Sequence, residues 1–257
     1  MKKLLIVLSV ILAAGFTTAA EYKLGEKESC FESGKAPVMQ DGNMKLGGFV
    51  HFWSRKMFRY NPAKKYSVYA DVRTDFNGPI PSMTIGFVYF DEKGKMIKTV
   101  EYATVPKTFT ELSKPVAPSD TVIYLKAVPG YKHQKNYGYV VAFEAKEDES
   151  DLPTKKISSR IKSLQIANGV VKVTLSKPVF ASLPAGTKVR LHYDTSFYQS
   201  VPAGRFYNKI GKDWKTFGGT RKIPAFVKNF RPVIIYYDHS KNPTKTFLLR
   251  NFKLIEE

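Results

Sequence analysis

The chain holds a single cysteine, Cys30, in 257 residues. No intrachain disulfide is possible, so the fold must rest on core burial. Cys30 precedes the first clear strand and belongs to no catalytic signature, which leaves it reading as a small apolar residue. Histidine is also scarce. His51, His133, His192 and His239 are far apart, without HExxH or HxH spacing, so a zinc site is unsupported. GxSxG, phosphate-loop and dinucleotide-binding glycine patterns are absent as well. Enzymes need convergent acids, bases or metals, and the supply here is thin.

Long apolar runs are missing everywhere except at the start. In "MKKLLIVLSVILAAGFTTAAEYK", Lys2 and Lys3 precede an apolar stretch from Leu4 to Phe16 and a small-residue "TTAA". The pattern predicts a signal peptide over residues 1–20, cleaved after Ala20. The apolar run is short of the roughly 20 residues needed to span a bilayer. No transmembrane segment is expected in the mature chain. Cys30 lies too far beyond Ala20 to be a lipoprotein cysteine. The expected location is secreted or periplasmic.

Acidic residues are the other shortage: 41 Lys and Arg against 22 Asp and Glu give a formal charge of +19. Removing Lys2 and Lys3 leaves 19 − 2 = +17. Such a balance attracts anionic partners. For an exported chain these are acidic polysaccharide, lipopolysaccharide or anionic lipid rather than nucleic acid. The competing reading is lysines that only solvate turns.

What is abundant is strand patterning. In "KYSVYADVR", Tyr66, Val68, Ala70 and Val72 share one face, and Ser67, Asp71 and Arg73 the other. In "SMTIGFVYF", Met83, Ile85, Phe87 and Tyr89 share a face. Similar runs occupy 121–128, 137–145, 169–176, 187–194, 231–238 and 246–255, with turn punctuation such as "NGPIP", "LPAG" and "KNPT" between them. A helical turn is the one competing pattern, in "TKKISSRIKSL". The "DEKGK" after Phe90 is a hairpin tip, because Asp91 can bond its own backbone and Gly94 can take positive φ. Its carboxylates, Asp91 and Glu92, are therefore read as turn residues. The fold class is all-β: two tandem β-sandwiches of jelly-roll type, or one elaborated sandwich. The charged, proline-containing "KEDESDLPTKK" sets the boundary, giving sandwiches over 21–150 and 151–257.

Several motifs fall in a familiar order. "SCFESG" (29–34), "YSVYADVR", "FVYFDEKGKMI" and "TFTELSKPVAPSDTVIYLKA" resemble, in sequence, the galactose-binding-like β-jelly-roll carbohydrate-binding modules of secreted polysaccharide-degrading systems. The resemblance spans residues 29–145, and the closing "TFLLRNFKLIEE" resembles the last strand of such modules, where the counterpart of Asn251 is often acidic. It implies carbohydrate binding. It also implies a structural calcium ion held by Glu32, with Glu144 standing near the second acidic position.

Two clusters carry candidate chemistry. In "VRLHYD", alternation places Val189, Leu191 and Tyr193 inward and Arg190, His192 and Asp194 together on the opposite face. They read as a solvated Arg–Asp ladder, as a sugar-binding surface, or as a lyase base (His192) oriented by Asp194 with Arg190 facing a uronate. The second cluster is aromatic. Sugar rings stack their C–H faces on flat side chains while charged groups meet their hydroxyls and acids. Trp214, Tyr198 and Tyr207, with Arg205, Lys212 and Lys215, form the expected binding platform, and Trp53 is either a further contact or core. The expected function is non-catalytic binding of an acidic polysaccharide by a monomer. The alternatives are a jelly-roll lyase or hydrolase, and a structural or adhesive envelope protein.

Overall fold

The protein is described here by a computed structural model, covering residues 19–24, 29–34, 38–74, 83–131, 138–206, 210–237 and 246–257. Residues 1–18, most of the expected signal peptide, lie outside them. The fold is all-β. Its strands are β1 (Ala20–Lys23), β2 (Ser29–Gly34), β3 (Val38–Gln40), β4 (Asn43–Gly47), β5 (Phe49–Ser54), β6 (Phe58–Arg59), β7 (Tyr66–Thr74), β8 (Met83–Phe90) and β9 (Thr110–Glu111). They continue with β10 (Val122–Lys126), β11 (Tyr139–Phe143), β12 (Ile161–Ala167), β13 (Val170–Leu175), β14 (Lys188–Tyr193), β15 (Gln199–Phe206), β16 (Lys215–Thr220), β17 (Asn229–Tyr237) and β18 (Thr246–Glu256). Among the described residues the only helical segment is a 3-10 turn at Thr99–Glu101. The helical turn expected in "TKKISSRIKSL" is instead the approach to β12, which pairs with β13.

Two six-stranded antiparallel sheets make the larger sandwich. One runs β16-β7-β18-β4-β3 with β1 also on β18; the other runs β15-β8-β17-β5-β2 with β6 also on β17. Their inner faces carry the expected alternation: Val68, Ala70 and Val72 from β7 meet Ile85, Phe87 and Tyr89 from β8 in one core. Aromatic rings lock the two layers across it, with Tyr236–Phe247 at 4.8 Å, Tyr66–Phe230 at 4.7 Å and Phe52–Phe252 at 6.0 Å between centroids. Such pairs contribute about 0.5–1.5 kcal/mol beyond the area they bury.

A smaller sandwich of two three-stranded sheets, β10-β13-β12 and β11-β14-β9, packs Leu125, Val141, Phe143, Val173 and Val189 into its own core. Residue 150, expected to separate tandem sandwiches, lies between β11 and β14, and these pair from Tyr139↔Tyr193 to Phe143↔Val189. The two cores are therefore nested along the chain: the larger is built from both ends, the smaller from the middle. The stretch 29–145 that carries the family resemblance contributes to both.

The tip after β8 is the turn that "DEKGK" predicts. Asp91 Oδ1 accepts the Lys93 and Lys95 backbone N–H groups at 2.9 and 2.8 Å, Gly94 N–H donates to the Asp91 carbonyl at 3.1 Å, and Gly94 has φ 73°. Asp91 Oδ1 thus has both its lone pairs occupied by its own turn, and the carboxylate serves structure.

Candidate functional site

The β18 sequence explains how the outer face of one large sheet becomes a site. Its apolar residues Phe247 and Leu249 point inward, and so do Phe252 and Leu254, a spacing that breaks period 2 by one residue. The pairing with β7 shifts register between Arg250 and Lys253, the signature of a bulge. Asn251 absorbs the extra residue at φ 51°, a conformation that asparagine tolerates better than most residues. The bulge keeps both halves of β18 buried, and the Asn251 amide donates to an Asp71 carboxylate oxygen at 2.7 Å.

Asp71 is the hub of this face. β16, β7 and β18 bring Thr216, Asp71 and Arg250 into one row, because Thr216 and Arg250 are the direct Cα partners of Asp71 on either side. Thr216 Oγ1 donates to Asp71 Oδ1 at 2.6 Å, and Arg250 Nε lies 3.5 Å from Oδ2. Burial raises the Asp71 pKa, but the hydrogen bonds from Thr216 and Asn251 and the Arg250 charge outweigh it and hold the carboxyl below its usual range. Beside this row sits Trp214, half-buried, with the Arg250 guanidinium 4.1 Å and the Arg73 guanidinium 5.0 Å from its ring centroid. Arg73 has no carboxylate partner among the described residues, and its Nε is buried without a hydrogen bond.

A cleft of about 520 Å³ opens next to the row, lined by Glu21, Lys23, Met39, Tyr69, Asp71 and Arg250 among others. Lys253 closes part of its rim through Glu21 at 2.8 Å. β16 lies close against β7, which requires glycine: Gly218 has φ 142°, and a Cβ there would meet the Val68 carbonyl oxygen at 2.0 Å. Chemically, this face offers an aromatic ring, two guanidinium forks and an ionised carboxylate able to accept further donors.

The residues expected from sequence scatter over several places. Trp214 joins the face just described, with Lys215 exposed on β16 and Lys212 exposed in the turn before it. Arg205 belongs to β15 in the opposite sheet, paired with Thr84, and its side chain, like all of Tyr207, lies outside the described residues. Tyr198 is also on that other side, packed edge-on against Phe197 at 5.5 Å between centroids. A single platform uniting Trp214 and Tyr198 is therefore not what folds. Trp53 is core: it is 6 % exposed, clusters with Val88, Phe90, Val233 and Ile235 on the outer side of its sheet, and is capped by Phe197.

Arg190 and His192 are corrected most sharply. Alternation assigns them to the outer face of β14, but that face is covered, leaving them 3 % and 0 % exposed. Arg190 donates Nε–H to His192 Nε2 at 3.0 Å, Nη1–H to the Lys146 carbonyl at 2.9 Å and Nη2–H to Asp151 Oδ2 at 2.6 Å. His192 Nδ1 lies 2.8 Å from the Val100 carbonyl, which fixes the neutral Nδ1–H tautomer. Asp194 is turned away and receives Arg160 Nε and Nη2 at 2.9 and 2.7 Å. The three do not meet, and neither a solvated ladder nor a sugar-facing base forms there.

Burial first, and then the Arg190 charge, lower His192 to a pKa of about 4, against some help from the Val100 carbonyl. The unfolded chain takes up the proton near pH 6.5, and the folded chain refuses it down to about 4. Stability conferred by the neutral ring is therefore complete above about pH 6.5 and is lost as pH falls toward 4, by about 3 kcal/mol. Asp151 and Glu149 face the same ring and favour its cation. The expected result is an NMR titration in which the His192 ring stays neutral at pH 5, with a parallel drop in urea midpoint between pH 7 and pH 4.5. A ring titrating near 6.5 would contradict the burial argument.

Of the two residues that the family resemblance assigns to a calcium ion, one has a described side chain. Glu144, in the loop after β11 of the smaller sandwich, pairs with Lys156 Nζ, whereas Glu32 lies on β2 of the larger one with its side chain outside the described residues. No three metal-ligating side chains converge among the described residues, and a hard cation needs six to eight oxygens.

Sequence alone does not mark Arg73, Arg250 and Asp71 as site residues. Their only signal is that Asp71 and Arg73 occupy the polar face of a strand; the pairing with Arg250 requires knowing which strands are neighbours. No helix among the described residues is long and apolar enough to cross a membrane. Compared with known proteins, the chain matches no family model, and no curated protein matches it significantly.

Proposed function

We propose that the protein is a non-catalytic, exported carbohydrate-binding protein that holds an acidic polysaccharide on the outer face of the larger sandwich. The observation that carries this reading is Trp214 with Arg73 and Arg250 at its ring, beside a cleft lined in part by Asp71 and Arg250. An indole can stack on the C–H face of a sugar. Arginine forks bind carboxylate or sulfate bidentately. The ionised Asp71 can accept sugar hydroxyls, and its charge rejects a polymer that presents acid groups at that point. The exported chain's net charge, 19 − 2 = +17 once Lys2 and Lys3 are removed, supports attraction of a polyanion over distance. The lyase alternative loses its base, because His192 and Arg190 are sealed from any polymer.

Trp214→Ala tests the reading. Affinity for an acidic polysaccharide is expected to fall about tenfold, with a change of only a few degrees in melting temperature, since the side chain is half-buried. A large melting loss with affinity retained would make Trp214 a structural plug and remove it from the site.

A further inference from the structure

Where the chain crosses between the two sandwiches it leaves a second cleft, of about 660 Å³. The outgoing crossing contributes Tyr102 and the returning one Tyr193; Tyr89, Tyr198, Gln199 and Arg221 come from the larger sandwich. The two crossings are tied by the Tyr193 N–H donating to the Ala103 carbonyl at 2.8 Å.

Two features distinguish this cleft from a packing gap. Tyr89 is 1 % exposed, and its hydroxyl faces the Arg221 guanidinium without closing a well-formed hydrogen bond to it. A buried hydroxyl so loosely paired is costly, and a ligand oxygen set between it and the guanidinium would satisfy both. Arg221 donates Nη1–H to the Ser200 carbonyl at 2.6 Å and Nη2–H to Gln199 Oε1 at 2.7 Å, both neutral acceptors. These bonds use two of its five N–H donors, and no carboxylate pairs with it among the described residues. The charge is fixed in place, and no described carboxylate compensates it.

We propose that this cleft is a binding site for a single sugar ring bearing a carboxylate, a hexuronate. Its acid group lies against the Arg221 guanidinium, and its hydroxyls satisfy Tyr89 and Gln199. Its C–H faces meet tyrosine rings. The volume falls in the range of small-ligand pockets, about 300–1,000 Å³. A bare carboxylate would leave the tyrosine rings without an apolar partner, and a neutral sugar would leave Arg221 without its counter-charge. The site is separate from the Trp214 face and stands without it. Because the ligand would touch both crossings, its occupancy also stiffens the junction of the two sandwiches and raises the melting temperature.

The test is calorimetric titration of the full chain with sodium galacturonate and sodium glucuronate, against galactose and sodium acetate at matched ionic strength. At least one uronate is expected to bind, with galactose and acetate weaker by about tenfold or more. Arg221→Gln should weaken the uronate by a similar factor, while Lys172→Ala, exposed on β13 and outside both sites, leaves it unchanged. In the unsubstituted protein, uronate should shift the NMR ring signals of Tyr102 and Tyr198, a readout that needs no variant. No binding of either uronate up to about 50 mM would overturn the proposal. So would equal binding of acetate, or shifts confined to the Trp214 indole. The last outcome would leave the polysaccharide face standing and remove only this cleft.

Discussion

Asp151→Ala is expected to lower unfolding free energy by about 3–5 kcal/mol, because it leaves the Arg190 guanidinium buried without its counter-charge. The pair is almost fully enclosed, with side-chain exposures of 4 % for Arg190 and 10 % for Asp151. Arg190 also holds the Lys146 carbonyl and His192 Nε2, so an unbalanced guanidinium disturbs the loop over β14 as well as the ring beneath it. The control is Asp194→Ala. Its partner Arg160 is exposed, and such pairs contribute roughly 0–1 kcal/mol. Urea unfolding of both variants on one preparation decides the matter. Equal losses would mean that the Asp194 pair supports the fold as much as the Asp151 pair does, and the buried network would lose its special role.

The second large effect belongs to the binding face. The double variant Arg73→Gln/Arg250→Gln is expected to weaken acidic-polysaccharide binding about a hundredfold, from roughly 1.5 kcal/mol for each charge-assisted contact. Folding should change little, since Arg250 is substantially exposed and its ion pair with Asp71 is long at 3.5 Å. Arg250→Gln alone also removes charge from beside Asp71, whose pKa should then move back up toward its ordinary value. Unchanged affinity in the double variant would show that the two guanidiniums serve only to pack Trp214.

Much of the fold can be read from residue alternation. Val68, Ala70 and Val72 on β7, and Ile85, Phe87 and Tyr89 on β8, line the larger core as period 2 requires. The Asp91–Gly94 turn follows from side-chain chemistry confined to a few residues. Alternation divides a strand into two faces but does not say what covers each one. On β14 the polar face of Arg190 and His192 lies under the Lys146–Asp151 loop and the Val100 carbonyl, both distant in sequence, and becomes an interior network. On β8 both faces are covered, so Val88 and Phe90 are buried as well as Ile85 and Phe87.

The nested order of the sandwiches is hidden for a related reason: each strand's sequence specifies its faces, not its neighbours. β11 ends before "KEDESDLPTKK" and β14 begins well after it, yet they pair. The site is partly legible. Trp214 and Lys215 stand in a polar, glycine-flanked segment that suggests presentation to solvent, whereas Arg73 and Arg250 join them only through the β16-β7-β18 register. The one local clue to the bulge is the broken spacing of Leu249 and Phe252, with asparagine at the break.

The most direct test of the proposed activity is binding of the unsubstituted protein to one acidic polysaccharide and to its carboxyl-reduced, neutral form, each across a salt series. Exposed charges are screened beyond about 10 Å at 0.1 M salt. The predicted result is affinity for the acidic form that falls steeply with salt, and weak, salt-insensitive binding of the neutral form. Equal binding of the two forms at every salt concentration would contradict recognition of an acidic glycan and reduce the basic face to solvation.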